Sequence, residues 1–299
     1  MAASSSKLKS CYSIRSISLP TRSHPTTAGI EEELSKFKKW EASPTPTAKT
    51  ISNDLLGLQD LYTRAQDLLE LPLTQQVISR HQHARCVDEL QDGLMGLLDI
   101  CGRARDVISQ IKEHGRDVQS SMRRTNGDSN IQSSIAKYTC FRKKIKNDAK
   151  QLIAVLKKME NKIGASPLLE LDHVSSVVRS LREMELASIS ILLSLLSFLS
   201  VPISWPNSAI RSLVSKLLNK GAVARENKLE NVKDLQSLDT AVYALSKSDS
   251  GEGDKKQVVQ NGLKSFEVSI ENIENGLECL FRSMIKARAS LLNTVSTTI

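Results

Sequence analysis

Apolar residues recur along this chain in alternating steps of three and four. One series is Ile51, Leu55, Leu58, Tyr62, Ala65 and Leu69, stopping at Pro72. A second runs from Val87 through Leu94, Cys101 and Ile108 to Ile111, a third from Ile131 to Ile163, and a fourth from Val259 to Leu291. Within the third, Arg142 is the one polar residue at an apolar position. Steps of three and four place side chains on one stripe of a helix; a strand needs alternation by two, which no stretch sustains. The spacing therefore predicts an all-α fold, a bundle of long antiparallel helices joined along heptad-type seams. A shorter helix is predicted over Ile30–Trp40, followed by a stiff S-P-T-P-T connector at Ser43–Thr47. Arg124–Asn130 reads as a turn, Gly164–Pro167 as a helix end, and Ser246–Lys256 as a flexible polar loop. Residues 29–299 then form a single helical-bundle domain behind a disordered, basic, Ser-rich tail at 1–28.

Composition sharpens this picture. Gly 13 and Pro 8 in 299 residues fall below the roughly 12% of average proteins, so elements run long. Aromatic residues make up 4%, which leaves the core to Leu, Ile and Val and argues against a β-sandwich. The five cysteines (Cys11, Cys86, Cys101, Cys140 and Cys279) are scattered without a C-x-x-C pair. With no secretory signal in view, they read as reduced thiols of an intracellular protein, most of them acting as small apolar side chains.

Charge is placed unevenly within a net +8. Lys7, Lys9, Arg15 and Arg22 meet no acid in residues 1–30. That composition fits a plastid transit peptide and also a disordered regulatory tail, and the second reading is favoured. Residues 142–162 carry eight Lys and Arg against Asp148 and Glu160. Lys143, Lys146, Lys150 and Lys157 project away from the apolar stripe of this helix and are candidate contacts for an anionic membrane surface; an ordinary solvated face has the same pattern. Nucleic acid is not the expected partner, because only Tyr138 and Phe141 stand nearby for base stacking.

Two further segments are candidates for function. Arg15-Ser16-Ile17-Ser18-Leu19-Pro20 spells R-S-x-S-x-P, so Ser18 is a candidate phosphosite, with Arg15 suited to a basophilic kinase and Pro20 turning the chain away. Phosphorylated, it would suit an Arg-lined groove such as that of 14-3-3 proteins. Leu186–Ile203 lacks any charge and carries a serine stripe at Ser190, Ser194 and Ser197 opposite Leu186, Ile189, Leu193 and Leu196. It reads as a buried core helix whose serines let neighbours approach, or as a membrane segment at 186–201; a bilayer asks for about 20 apolar residues, which favours the core. His81, His83 and Cys86 lack a second cluster to complete metal ligation. No catalytic motif, phosphate-binding loop or metal signature is present, so no catalytic, cofactor or metal residue is expected.

Several motifs in order resemble one family. They are R-S-I-S-L-P-T-R-S-H-P (Arg15–Pro25), D-L-L-G-L-Q-D-L-Y (Asp54–Tyr62), L-L-E-L-P (Leu68–Pro72), L-L-D-I-C-G-R-A-R-D-V-I-S-Q-I-K-E (Leu97–Glu113) and G-L-E-C-L-F-R-S-M-I-K-A-R-A-S-L-L-N (Gly276–Asn293). Together they make the chain similar to the plant Bypass-related family. The resemblance implies a helical plant protein linked to root and shoot development, whose namesake restrains a mobile root-derived signal. It carries no reaction, cofactor or catalytic residue with it. The expectation is a non-enzymatic protein acting through protein–protein contacts, cytoplasmic or peripheral to a membrane. The alternatives are membrane association through 186–201 and the basic helix, and an enzyme controlling a small mobile signal.

Overall fold

Thr47 starts the first long helix by a reciprocal cap. Its Oγ1 accepts from the Thr50 amide at 2.9 Å while Thr50 Oγ1 accepts from the Thr47 amide at 2.8 Å, satisfying two donors that a helix start leaves free. The computed structural model describes residues 29–35, 47–80, 85–124, 128–165, 174–201, 239, 242 and 253–296. Their helices are α1 (29–35), α2 (Ala48–Glu70), α3 (Pro72–Arg80), α4 (Arg85–Arg123), α5 (Asp128–Ala165), α6 (Val174–Leu199) and α7 (Gly253–Ser296). The described residues are helical almost throughout and contain no strand. The fold is all-α.

The residues of the three-four series are the buried ones. Ile51 to Leu69 of α2, Val87 to Ile111 of α4 and Val259 to Leu291 of α7 all lie in one apolar core. In α5 the same holds from Ile131 to Leu156, with Met159 and Ile163 half-buried at its end. Truncating one such side chain, Leu277→Ala for example, costs about 2–5 kcal/mol in cores of this kind.

Helix directions follow from which residues meet. Arg105, Lys112 and Arg116 of α4 pair in turn with Glu278, Glu274 and Glu267 of α7, so these two helices are antiparallel. Ser52 Oγ donates to the Asn272 carbonyl at 3.4 Å and Ser290 Oγ to Glu70 at 3.5 Å, so α2 and α7 are parallel. They come close because Gly276 lacks a side chain: a Cβ there would stand 3.1 Å from Leu55 Cβ. Tracing contacts from α2 to α7, α4, α5, α6 and back to α2 closes a ring of five long helices. Each long helix reverses the one before it in the chain, and a ring with an odd number of alternating members must contain one parallel neighbour pair. That pair is α2/α7. A second parallel contact, α4 with α6, crosses the ring. The expectation of antiparallel helices does not extend to these two contacts.

Other differences are local. Pro72, read as a stop, both ends α2 and begins α3. It holds Leu71 extended (φ −65, ψ 132), as the residue before proline prefers, and it fits a first helical turn because it lacks the amide that would go unbonded there. Asp128–Asn130 are helical rather than part of the turn, and α7 starts at Gly253, so Gly253–Lys256 are not loop; an acid such as Asp254 is a favoured residue type in a first turn. The predicted tail 1–28, the connector at 43–46 and the remainder of the 246–256 loop lie outside the described residues.

Segment 186–201 is core where it is described. Ile189, Leu192, Leu195, Leu196 and Leu199 are fully buried, and no described helix is long and apolar enough to cross a membrane. The serine stripe does not mediate close packing. Ser190 and Ser194 are half-buried and Ser197 is exposed, because the wider apolar face, including Ile191, Leu192 and Phe198, takes the interior. The serine that does enter the core is Ser188, whose hydroxyl donates to the Met184 carbonyl at 2.8 Å and meets Tyr62 Oη at 3.0 Å.

Candidate functional site

Ile145, Ala149, Leu152 and Leu156 of α5 are fully buried, which fixes the opposite side of the helix toward solvent. Lys143, Lys150 and Lys157 occupy that side and are exposed, with Lys144 and Lys158 flanking them. They recur every seven residues, nearly two helical turns, so successive ammonium groups stand about 10 Å apart along one stripe. That spacing matches the Debye length of about 10 Å at 0.1 M salt, so their potentials overlap. Lys146 is half-buried at the edge of the stripe, a partial correction to its expected projection. Among the described residues, no ion pair engages Lys143, Lys146, Lys150 or Lys157. Lys162 at the helix end stands 3.7 Å from Asp92.

Arg142, the polar intruder of the sequence, does not join this face. Its side chain is 1% exposed and faces Asp239, itself 2% exposed, at 3.0 Å. Nε reaches the other Asp239 oxygen at 3.2 Å, Nη1 donates to the Leu199 carbonyl at 2.9 Å, and Nη2, which also bonds Asp239, donates to the Val201 carbonyl at 3.2 Å. Tyr138 Oη donates to Asp239 at 2.8 Å. Burial, then the neighbouring Asp239 charge, raises the Tyr138 hydroxyl pKa well above its ordinary value. The cluster ties α5 to the end of α6 and to Asp239. It is structural: a buried cation tolerated because its donors are met.

Tyr138 and Phe141 are both buried, Phe141 against His114 with ring centroids 4.2 Å apart, so neither ring stands on the lysine face. Cys86 and Cys101 are buried, whereas Cys140 and Cys279 are exposed, which corrects the reading of most thiols as core residues. Burial pushes the Cys101 thiol up to about 12. Arg15, Ser18, Pro20, His81 and His83 lie outside the described residues. Sequence reasoning missed Asp239 and, on α6, Glu185. Only a charged residue bordering an apolar run, Glu185 before Leu186, signalled the second.

A family model described as Protein BPS1 matches residues 54–294, from α2 into α7. No curated protein and no solved structure matches the chain. The family match is consistent with a plant developmental protein. The chain belongs to the Protein BPS1 family, the Bypass-related plant family that its motifs resemble.

Proposed function

We propose that the protein acts in plant root and shoot development as a non-enzymatic binding protein, with the lysine face of α5 as its contact for an acidic partner protein. Family membership supports the developmental setting. The observation that carries the contact is the exposed row Lys143, Lys150 and Lys157, which packing among the described residues does not use. A membrane surface is the weaker partner. An interfacial helix inserts apolar side chains beside its lysines, and here the apolar face of α5 is spent in the core, with Asn147, Ala154 and Asn161 between the exposed lysines. The motif around Ser18 supplies a second contact in this reading, to a phosphopeptide binder of the 14-3-3 type.

The test is complementation in plants lacking the protein. A Lys143→Glu/Lys150→Glu/Lys157→Glu chain should keep its helicity by circular dichroism yet fail to restore root and shoot growth, while the matching Lys→Arg chain restores both. Full rescue by the glutamate chain overturns the contact. Loss of wild-type cosedimentation with phosphatidylserine vesicles on the same substitution would make lipid the partner instead of protein.

A further inference from the structure

A cleft opens between the first turns of α4, the end of α5 and the first half of α6. Its volume is about 140 Å³, similar to an engineered apolar cavity of about 150 Å³ that takes up benzene. Bare backbone makes the space. A Cβ on Gly93 would overlap Glu185 Oε1, and one on Gly96 would stand 2.9 Å from Met159 Cε.

Glu185 is 1% exposed, and its Oε1 has no hydrogen-bond partner. The other charges around the cleft are engaged with one another. Arg182 donates to Glu89 Oε2 at 3.1 Å, Arg85 to Glu89 Oε1 at 2.8 Å, and Lys162 stands 3.7 Å from Asp92. Burial holds the Glu185 carboxyl well above the usual carboxylate range; Arg182 and Lys162 pull it down and Glu89 pushes it further up. A buried carboxyl without a partner is unfavourable unless something supplies the missing hydrogen bond. The missing group is a donor. Among the described residues no set of three His, Cys, Asp or Glu is placed to hold a metal ion, and the Arg182 guanidinium that an anion would need is bonded to Glu89.

We propose that this cleft is a binding site for a small organic amine, whose ammonium group pairs with the Glu185 carboxyl while its aliphatic body lies against Leu90, Met159 and Ile163. At a pH where the carboxyl is protonated, its proton passes to solvent as the ammonium arrives, leaving a carboxylate–ammonium pair. Binding therefore tightens as pH rises, with Glu89, Asp92, Lys162 and Arg182 remaining paired around the site.

The test is calorimetric titration of the full chain with n-butylammonium, and separately with n-butanol, in buffers of different ionisation enthalpy. Expected are saturable binding of the amine, proton release on binding that falls off as pH rises, and binding of the alcohol weaker by about tenfold or more. Glu185→Gln, nearly isosteric, should keep the fold and weaken amine binding by a similar factor. Absence of saturable amine binding, or binding of the alcohol as tight as that of the amine, overturns the proposal. So does undiminished amine binding by a folded Glu185→Gln chain. The two ligands compared on the unaltered protein keep the test valid if the variant does not fold.

Discussion

Arg142 and Glu185 lie toward opposite ends of the antiparallel α5/α6 pair, and the bundle encloses both. Around Arg142, the Asp239 carboxylate and two carbonyls from the end of α6 converge as acceptors. Around Glu185 the nearest glycine withdraws and the nearest cation, Arg182, turns to Glu89. One buried ionisable group is bonded into the scaffold; the other keeps a carboxyl oxygen without a hydrogen-bond partner. Burial alone therefore does not separate a structural charge from a binding one. What separates them is whether the fold itself completes the hydrogen bonds.

The largest effect that would break this contrast is at Arg142. Arg142→Ala leaves Asp239 buried without its cation and should cost about 3–5 kcal/mol in urea unfolding. Replacing both partners, Arg142→Met with Asp239→Leu, should recover much of that loss. If the double variant is no more stable than the single one, the pair is not what holds this end. Tyr138→Phe removes one hydrogen bond to a charged acceptor, for an expected loss of about 1.5–3 kcal/mol by the same measurement.

Glu185 should behave in the opposite sense. Its folded pKa lies above its unfolded one, so the stability this group contributes is fully present below the unfolded value, near 4.3 for a free glutamate. It is lost as pH rises toward the folded value, by roughly 1 kcal/mol per pH unit. A Glu185→Gln chain lacks that slope. Melting curves across pH 4 to 8 should find the variant gaining on the wild type as pH rises, and parallel curves would mean that Glu185 is already satisfied.

The inward faces were legible in the sequence because each helix buries one stripe, and a stripe imposes a period that survives without knowledge of the neighbours. Arg142 stood out for the same reason, as a breach of that period. Its partner did not, since Asp239 lies 97 residues along the chain and no local pattern links them. Glu185 was hidden by its position at the edge of an uncharged run, which drew attention to the run rather than to its border. The lysine row was readable as a face, though not that Lys146 sits at its edge, which depends on how α5 is rotated against α4 and α6. Helix direction left no trace either: the side-chain period is the same whichever way a neighbour runs, so the parallel α2/α7 contact had to be seen.

That contact also constrains how the molecule is made. Synthesis runs from the amino end, so α2, α4, α5 and α6 leave the ribosome before the strip of core that α7 provides. Until those 44 residues emerge, Leu55 of α2 and Cys101 of α4 lack the wall that Gly276 and Leu277 provide. A nascent or truncated chain stopping short of Gly253 is therefore a client for chaperones that bind apolar surface, and premature stop codons even late in the coding sequence should act as null alleles.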